Sequence, residues 1–137
     1  MDSLFPLLAL VLGILIIGFL YRFFARRRTL FTPRELSDLQ SRFDDLEKRV
    51  YWDPRHAVME GDKLLDLLLR KRGYKGTLGD KLKKAHKHFP QVQELWDAHK
   101  IRNRIAHELD VRVEPREAKR AITAYKTAYR QSGVDIR

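Results

Sequence analysis

At 137 residues the chain has room for one domain, and the absence of cysteine excludes disulfides and thiolate metal sites. Its 28 Lys and Arg outnumber its 18 Asp and Glu, giving a net charge of +10. That balance favours an acidic partner, either nucleic acid or an anionic membrane surface.

Residues 3–21 form an uncharged run dominated by Leu, Ile, Val and Phe. As a helix such a run is long enough to cross a hydrocarbon core of about 30 Å. The rival is a cleaved signal peptide, but Met1 and Asp2 bring no positive charge ahead of the run and no small-x-small site follows it. Residues 1–21 are therefore expected to be a single transmembrane anchor, and residues 22–32 a basic juxtamembrane linker. Arg22, Arg26, Arg27 and Arg28 would flank the membrane on one side only. By the positive-inside rule the expected topology is single-pass, with the N-terminus outside and the C-terminal domain cytoplasmic.

Thr32, Pro33 and Glu35 then spell a capping box with proline at the first helical position. Leu36, Leu39, Phe43, Leu46 and Val50 follow at spacings of three and four, the seam of a helix packed in a bundle. Asp53 and Pro54 open a second helix on the same logic, and its Leu64, Leu65, Leu67, Leu68 and Leu69 predict the central helix of the core. Gly73 ends it. Thr77 and Asp80 cap a shorter helix whose inner line is Leu78, Leu82, Ala85 and Phe89. Its outer faces carry Lys81, Lys83, Lys84, His86, Lys87 and His88, either a solvated face or a set of contacts to a nucleic-acid backbone. His86 and His88 lack a further ligand at metal spacing, so no metal site is expected. After Pro115, Ala118, Ala121, Ile122, Tyr125, Ala128 and Tyr129 make the inner stripe of a last helix closed by Gly133.

Between these lies residues 91–109, with Val92, Leu95, Ala98, Ile101, Ile105 and Leu109 at helical spacing. At roughly 100° per residue, Gln93, Asp97, Lys100, Arg104 and Glu108 gather on a solvated face. His99, Arg102, Asn103 and His107 fall instead beside Leu95, Trp96 and Ala106, on the side expected to be buried. There an unpaired polar group costs about 1–3 kcal/mol. For any one of these residues a satisfied core or interface group is the plainer reading. Taken together they point to a site, because Arg offers a planar fork for phosphate, Asn a further polar contact, and His a proton near neutral pH.

The run Arg102, Asn103, Arg104, Ile105, Ala106, His107 resembles the signature of the HEPN (higher eukaryotes and prokaryotes nucleotide-binding) superfamily. That signature is an Arg, a polar residue after it and a His a little over one helical turn further on. It lies late in the penultimate predicted helix, as it does in that superfamily, and the resemblance covers residues 33–132. It implies an all-α fold, here a transmembrane helix followed by an antiparallel four- to five-helix HEPN-like bundle over 33–137. It also implies a dimeric, metal-independent endoribonuclease that needs no cofactor. Carried over residue by residue, His107 would move the proton of the ribose 2′-hydroxyl, Arg102 would hold the scissile phosphate, and Asn103 would orient one of them. RNA, a second copy of the chain and an antitoxin-like regulatory protein are the partners this implies. Helix geometry alone adds His99 as an assisting residue, and charge adds Lys83, Lys84 and Lys87 as substrate contacts. The rival readings are a non-catalytic membrane-tethered module that binds a partner, nucleotide or RNA, and a bundle held to anionic lipid by its juxtamembrane arginines.

Overall fold

The structure is a computed structural model that describes the backbone of residues 4–25 and 30–137, and the side chains of residues 6, 8–21 and 30–137. Among the described residues it is all-helical: α1 (Leu4–Ala25), α2 (Pro33–Arg49), α3 (Pro54–Lys71), α4 (Leu78–Ala85), α5 (Val92–His107) and α6 (Pro115–Gln131). A 3₁₀ turn, His86–His88, joins α4 to the chain before α5.

The expectation of a membrane span is corrected at α1. Among the described residues no helix is long and apolar enough to cross a membrane. The described side chains of α1 are apolar without interruption from Leu8 to Tyr21. With the span go the transmembrane element of the fold class and the single-pass topology with an outer N-terminus and cytoplasmic C-terminal domain. The side chain of Arg22 and the whole of Arg26, Arg27 and Arg28 lie outside the described residues.

From α2 onward, local chemistry sets the helix ends. The Thr32 amide donates to Glu35 Oε2 at 2.7 Å while the Glu35 amide donates to Thr32 Oγ1 at 3.3 Å, completing the capping box. The lysine of Lys71 donates to Glu35 at 2.7 Å; it and the Thr32 amide hold the Glu35 carboxyl down at about 2. Asp53 caps α3 by accepting from the His56 amide at 3.1 Å. Thr77 and Asp80 cap α4 reciprocally. Gly73, at φ 89°, supplies the left-handed residue that lets the Tyr74 amide reach back to the Leu69 carbonyl and stop α3.

The core then follows the apolar stripes. Leu39, Phe43 and Leu46 of α2, Leu64, Leu65, Leu68 and Leu69 of α3, and Ala118, Ala121, Ile122, Tyr125, Ala128 and Tyr129 of α6 are all buried. Phe43 meets Tyr129 edge to face at 5.3 Å and Lys126 reaches Glu47 at 2.7 Å, so α2 and α6 run antiparallel. Gly61 faces Ile122 and Tyr125, while the Leu64 carbonyl accepts from Tyr129 Oη at 2.7 Å; numbers therefore rise together along α3 and α6. This parallel pair forms the centre, with α2 and α5 flanking it, as the diagonal of an up-down bundle permits. The chain end closes one side: Val134 and Ile136 are buried, and the Arg137 amide donates to Gln40 at 2.8 Å.

Candidate functional site

One turn of α3 meets the middle of α5 through a single carboxylate. Asp62 is only 6% exposed, and it lies on the stripe that otherwise holds Val58, Leu65 and Leu69. A buried carboxylate loses several kcal/mol of hydration, so it must be compensated by cations and donors in good geometry. Both oxygens are engaged: Oδ1 lies 3.0 Å from His99 Nδ1, and Oδ2 lies 3.3 Å from Arg102 Nε. Arg102 Nη1 in turn donates to Asn103 Oδ1 at 3.2 Å. One acid therefore holds two of the residues that the sequence singled out, and a third is joined to them through Arg102.

Tyr125 of α6 forms the floor of this layer. Its ring is fully buried, and a Cβ on Gly61 would fall 2.6 Å from two of its ring carbons, so glycine is what admits the ring. The Tyr125 hydroxyl makes no hydrogen bond of good geometry among the described residues, though it lies near enough to the Asp62 carboxylate to be influenced by it. Burial first, and the negative charge of Asp62 second, push it well above the ordinary phenol range. Trp96 covers the outer side of His99, edge to face, with ring centres 6.1 Å apart. The side chain of His99 is 12% exposed, and its Nδ1 is occupied by Asp62. Its observed place is in the scaffold of the layer.

Arg102 differs from His99 in one respect that matters chemically. Its side chain is 35% exposed, so the guanidinium is tethered at Nε yet accessible to solvent. A tethered, accessible guanidinium is the arrangement that suits a phosphate oxygen, since Arg binds such groups through several N–H donors in a fixed plane.

His107 lies elsewhere than its position on the helix wheel predicts. It is the last residue of α5, it is exposed, and its side chain makes no hydrogen bond or ion pair among the described residues. Sequence periodicity puts it on the packed side, but α5 ends there. The Glu108 amide closes on the Arg104 carbonyl, and Asp110 turns the chain with φ 57°. Leu109, expected to continue the buried line, is 95% exposed. Arg104 faces outward as expected and reaches Glu117 of α6 at 3.3 Å.

Lys83, Lys84 and Lys87 are exposed at the opposite end of α5 from His107, on α4 and the 3₁₀ turn, whereas Lys81, expected on the same outer face, is buried because it pairs with Asp66 of α3 at 2.6 Å. They do not converge with Arg102. Among the described residues no group of three His, Cys, Asp or Glu is disposed to hold a metal ion. A groove of about 1080 Å³ between α5 and α6, lined in part by Ala98, Ile101, Ala121 and Ala124, has neither Arg102 nor His107 in its lining.

Sequence reasoning missed Asp62 and Tyr125. The signal for Asp62 was present: a carboxylate inside an apolar helical stripe, four residues after Val58 and three before Leu65, needs a cationic partner on whatever packs against it. No protein-family model, curated protein or solved structure matches the chain.

Proposed function

We propose that this bundle is a HEPN-like, metal-independent endoribonuclease that acts as a dimer. The observation that carries the reading is the tethering of Arg102: a buried carboxylate fixes Nε while a third of the side chain stays open to solvent. A cation placed in this way loses little freedom when it takes a phosphate, so more of its binding energy remains for the charge that builds up in the transition state.

RNA supplies its own nucleophile. In the proposed reaction His107 accepts the proton of the ribose 2′-hydroxyl, and the 2′-oxygen forms a bond to phosphorus as the bond to the 5′-oxygen breaks. Arg102 binds the non-bridging oxygens, and the departing 5′-oxygen takes a proton from the imidazolium of the second His107 in the dimer. The products are a 2′,3′-cyclic phosphate and a free 5′-hydroxyl. Leu109, fully exposed two residues after His107, is an apolar group that a second copy could cover at that end.

A second reading rests on His107 itself. A general base is ordinarily held by a hydrogen bond on its other ring nitrogen, and His107 has none within its chain among the described residues. That favours a non-catalytic module binding RNA or nucleotide through Arg102. The deciding experiment is RNA cleavage by the full chain in EDTA, beside His107→Ala and Arg102→Ala proteins with unchanged circular dichroism. Cleavage that survives EDTA, leaves cyclic phosphate ends and disappears in both variants supports the enzyme. Intact RNA with well-folded parent protein leaves the binding module.

A further inference from the structure

Asp80, Asp66 and Glu35, beside α4, are engaged within the fold, whereas several of the cations there form no ion pair. Asp80 is occupied by the Thr77 cap, accepting from its amide at 3.0 Å and from its hydroxyl at 2.7 Å. Asp66 takes Lys81 at 2.6 Å and Arg70 at 3.2 Å, and Glu35 takes Lys71 at 2.7 Å. Left over are Arg72, Lys75, Lys83, Lys84 and Lys87, all exposed and none within ion-pair distance of a carboxylate among the described residues. The fold gathers them: Lys84 Nζ donates to the Lys75 carbonyl at 2.9 Å, joining α4 to the loop after α3, and Arg72 lies 6.0 Å from the ring of Phe89. Tyr74 and His88 sit among these cations, with Tyr74 Oη 2.8 Å from His88 Nδ1.

We infer that this lobe binds the phosphate backbone of RNA, as a second contact separate from Arg102 and His107. The choice of RNA over other polyanions rests on the reading of the motif as an RNA site. Two features of the lobe agree with it. Five cations without a close ion pair lie within one patch, Lys83 and Lys84 feeling Asp80 only at longer range, and such a patch matches a ligand with regularly repeated charge. Among the described residues none of the large exposed hydrophobic side chains lies here, so the described lobe lacks the apolar anchors with which proteins hold a bilayer surface. The lobe and His107 stand at opposite ends of α5, whose 16 residues span about 24 Å. A strand that touches both must run along the bundle.

The test uses the full chain and a 2′-O-methyl RNA oligonucleotide. That ligand keeps the phosphates but has no free 2′-hydroxyl, so binding is read whether or not the protein cleaves RNA. Binding is followed by fluorescence anisotropy over a range of salt concentrations. Lys75, Lys83, Lys84 and Lys87 are replaced together by Ala and, as a charge-keeping control, by Arg. Each single-strand phosphate contact contributes about 0.7 to the slope of log affinity against log salt. The alanine variant should therefore lose a slope of roughly 2–3 and bind at least about tenfold more weakly at low salt, with the arginine variant close to the parent. Arg102→Ala should leave most of the slope in place. The inference is overturned if the parent does not bind the oligonucleotide, or if the alanine variant keeps the parental slope. It is equally overturned if the four lysines govern binding to phosphatidylserine vesicles but not to RNA. Loss of ribonuclease activity in the cleavage experiment, with this slope intact, would remove the enzyme and keep the lobe.

Discussion

The layer around Asp62 and the lobe around α4 use charge in opposite ways. In the layer, an acid is buried and both its oxygens are committed to cations, so the electrostatic energy goes into fixing the geometry of Arg102 and His99. In the lobe, the acids are committed to caps and internal ion pairs, and the cations are left facing water. Removing a charge from the layer should therefore disturb the fold and the site together. Removing one from the lobe should change the interaction with a polyanion and little else.

The largest effect should come from Gly61→Ala, beside the layer. The added Cβ would meet Tyr125 ring carbons at 2.6 Å and Ile122 Cδ1 at 2.9 Å, all on buried side chains that cannot swing aside. Such overpacking should cost about 1–3 kcal/mol or more, read as a lower urea midpoint. An unchanged midpoint would mean that the layer is looser than its geometry indicates.

Next is Asp62→Ala, which leaves His99 largely buried and Arg102 untethered. Arg102 is one-third exposed, so part of the penalty is relieved by water, and about 2 kcal/mol of stability is the expected loss. If the enzyme reading holds, a folded Asp62→Ala protein should also lose cleavage at saturating RNA. Loss of stability with full activity would confine Asp62 to the scaffold.

Tyr125 sharpens the comparison through pH. Its hydroxyl is raised well above its ordinary value of 10.0 by burial and by Asp62, so above pH 10 the unfolded chain releases a proton that the folded chain retains. Its contribution is thus fully present below pH 10 and lost as pH rises beyond it. Tyr125→Phe should flatten the alkaline limb of the stability curve and change stability at neutral pH much less, since the hydroxyl makes no hydrogen bond of good geometry and only a marginal contact to Asp62. Urea midpoints at pH 8 and pH 11 would show this. A limb as steep in the variant as in the parent would argue against the burial of that hydroxyl.

The smallest expected effect on stability lies in the lobe. Substituting Lys83 and Lys87 by Ala should change the unfolding free energy by less than about 0.5 kcal/mol. A clear loss would mean that these lysines serve the fold after all.

Much of the bundle is legible in the sequence because it is written in local rules. The Thr32 and Thr77 capping boxes, the proline starts at Pro33, Pro54 and Pro115, and the stripes of α2, α3 and α6 depend on residues within a turn or two of one another. The N-terminal span was read from a run of apolar residues, and that reading does not hold among the described residues, where the apolar length is insufficient. The site was half legible. Periodicity put Arg102, Asn103 and His99 on the packed side of α5, and it failed at His107 because a helical wheel does not say where the helix stops or what lies beyond its end.

By itself, then, the sequence determined the all-helical character of the bundle, most of its helix ends and the surplus of basic charge, since these follow from neighbours along the chain. Only the tertiary structure decided that Asp62 grips both His99 and Arg102, that Tyr125 needs Gly61, and which lysines remain unpaired. Each of those depends on two helices meeting at one register, with Asp62 37 positions from His99 in the chain. Electrostatic compensation acts through space, and no local pattern encodes which distant charge will answer a buried one.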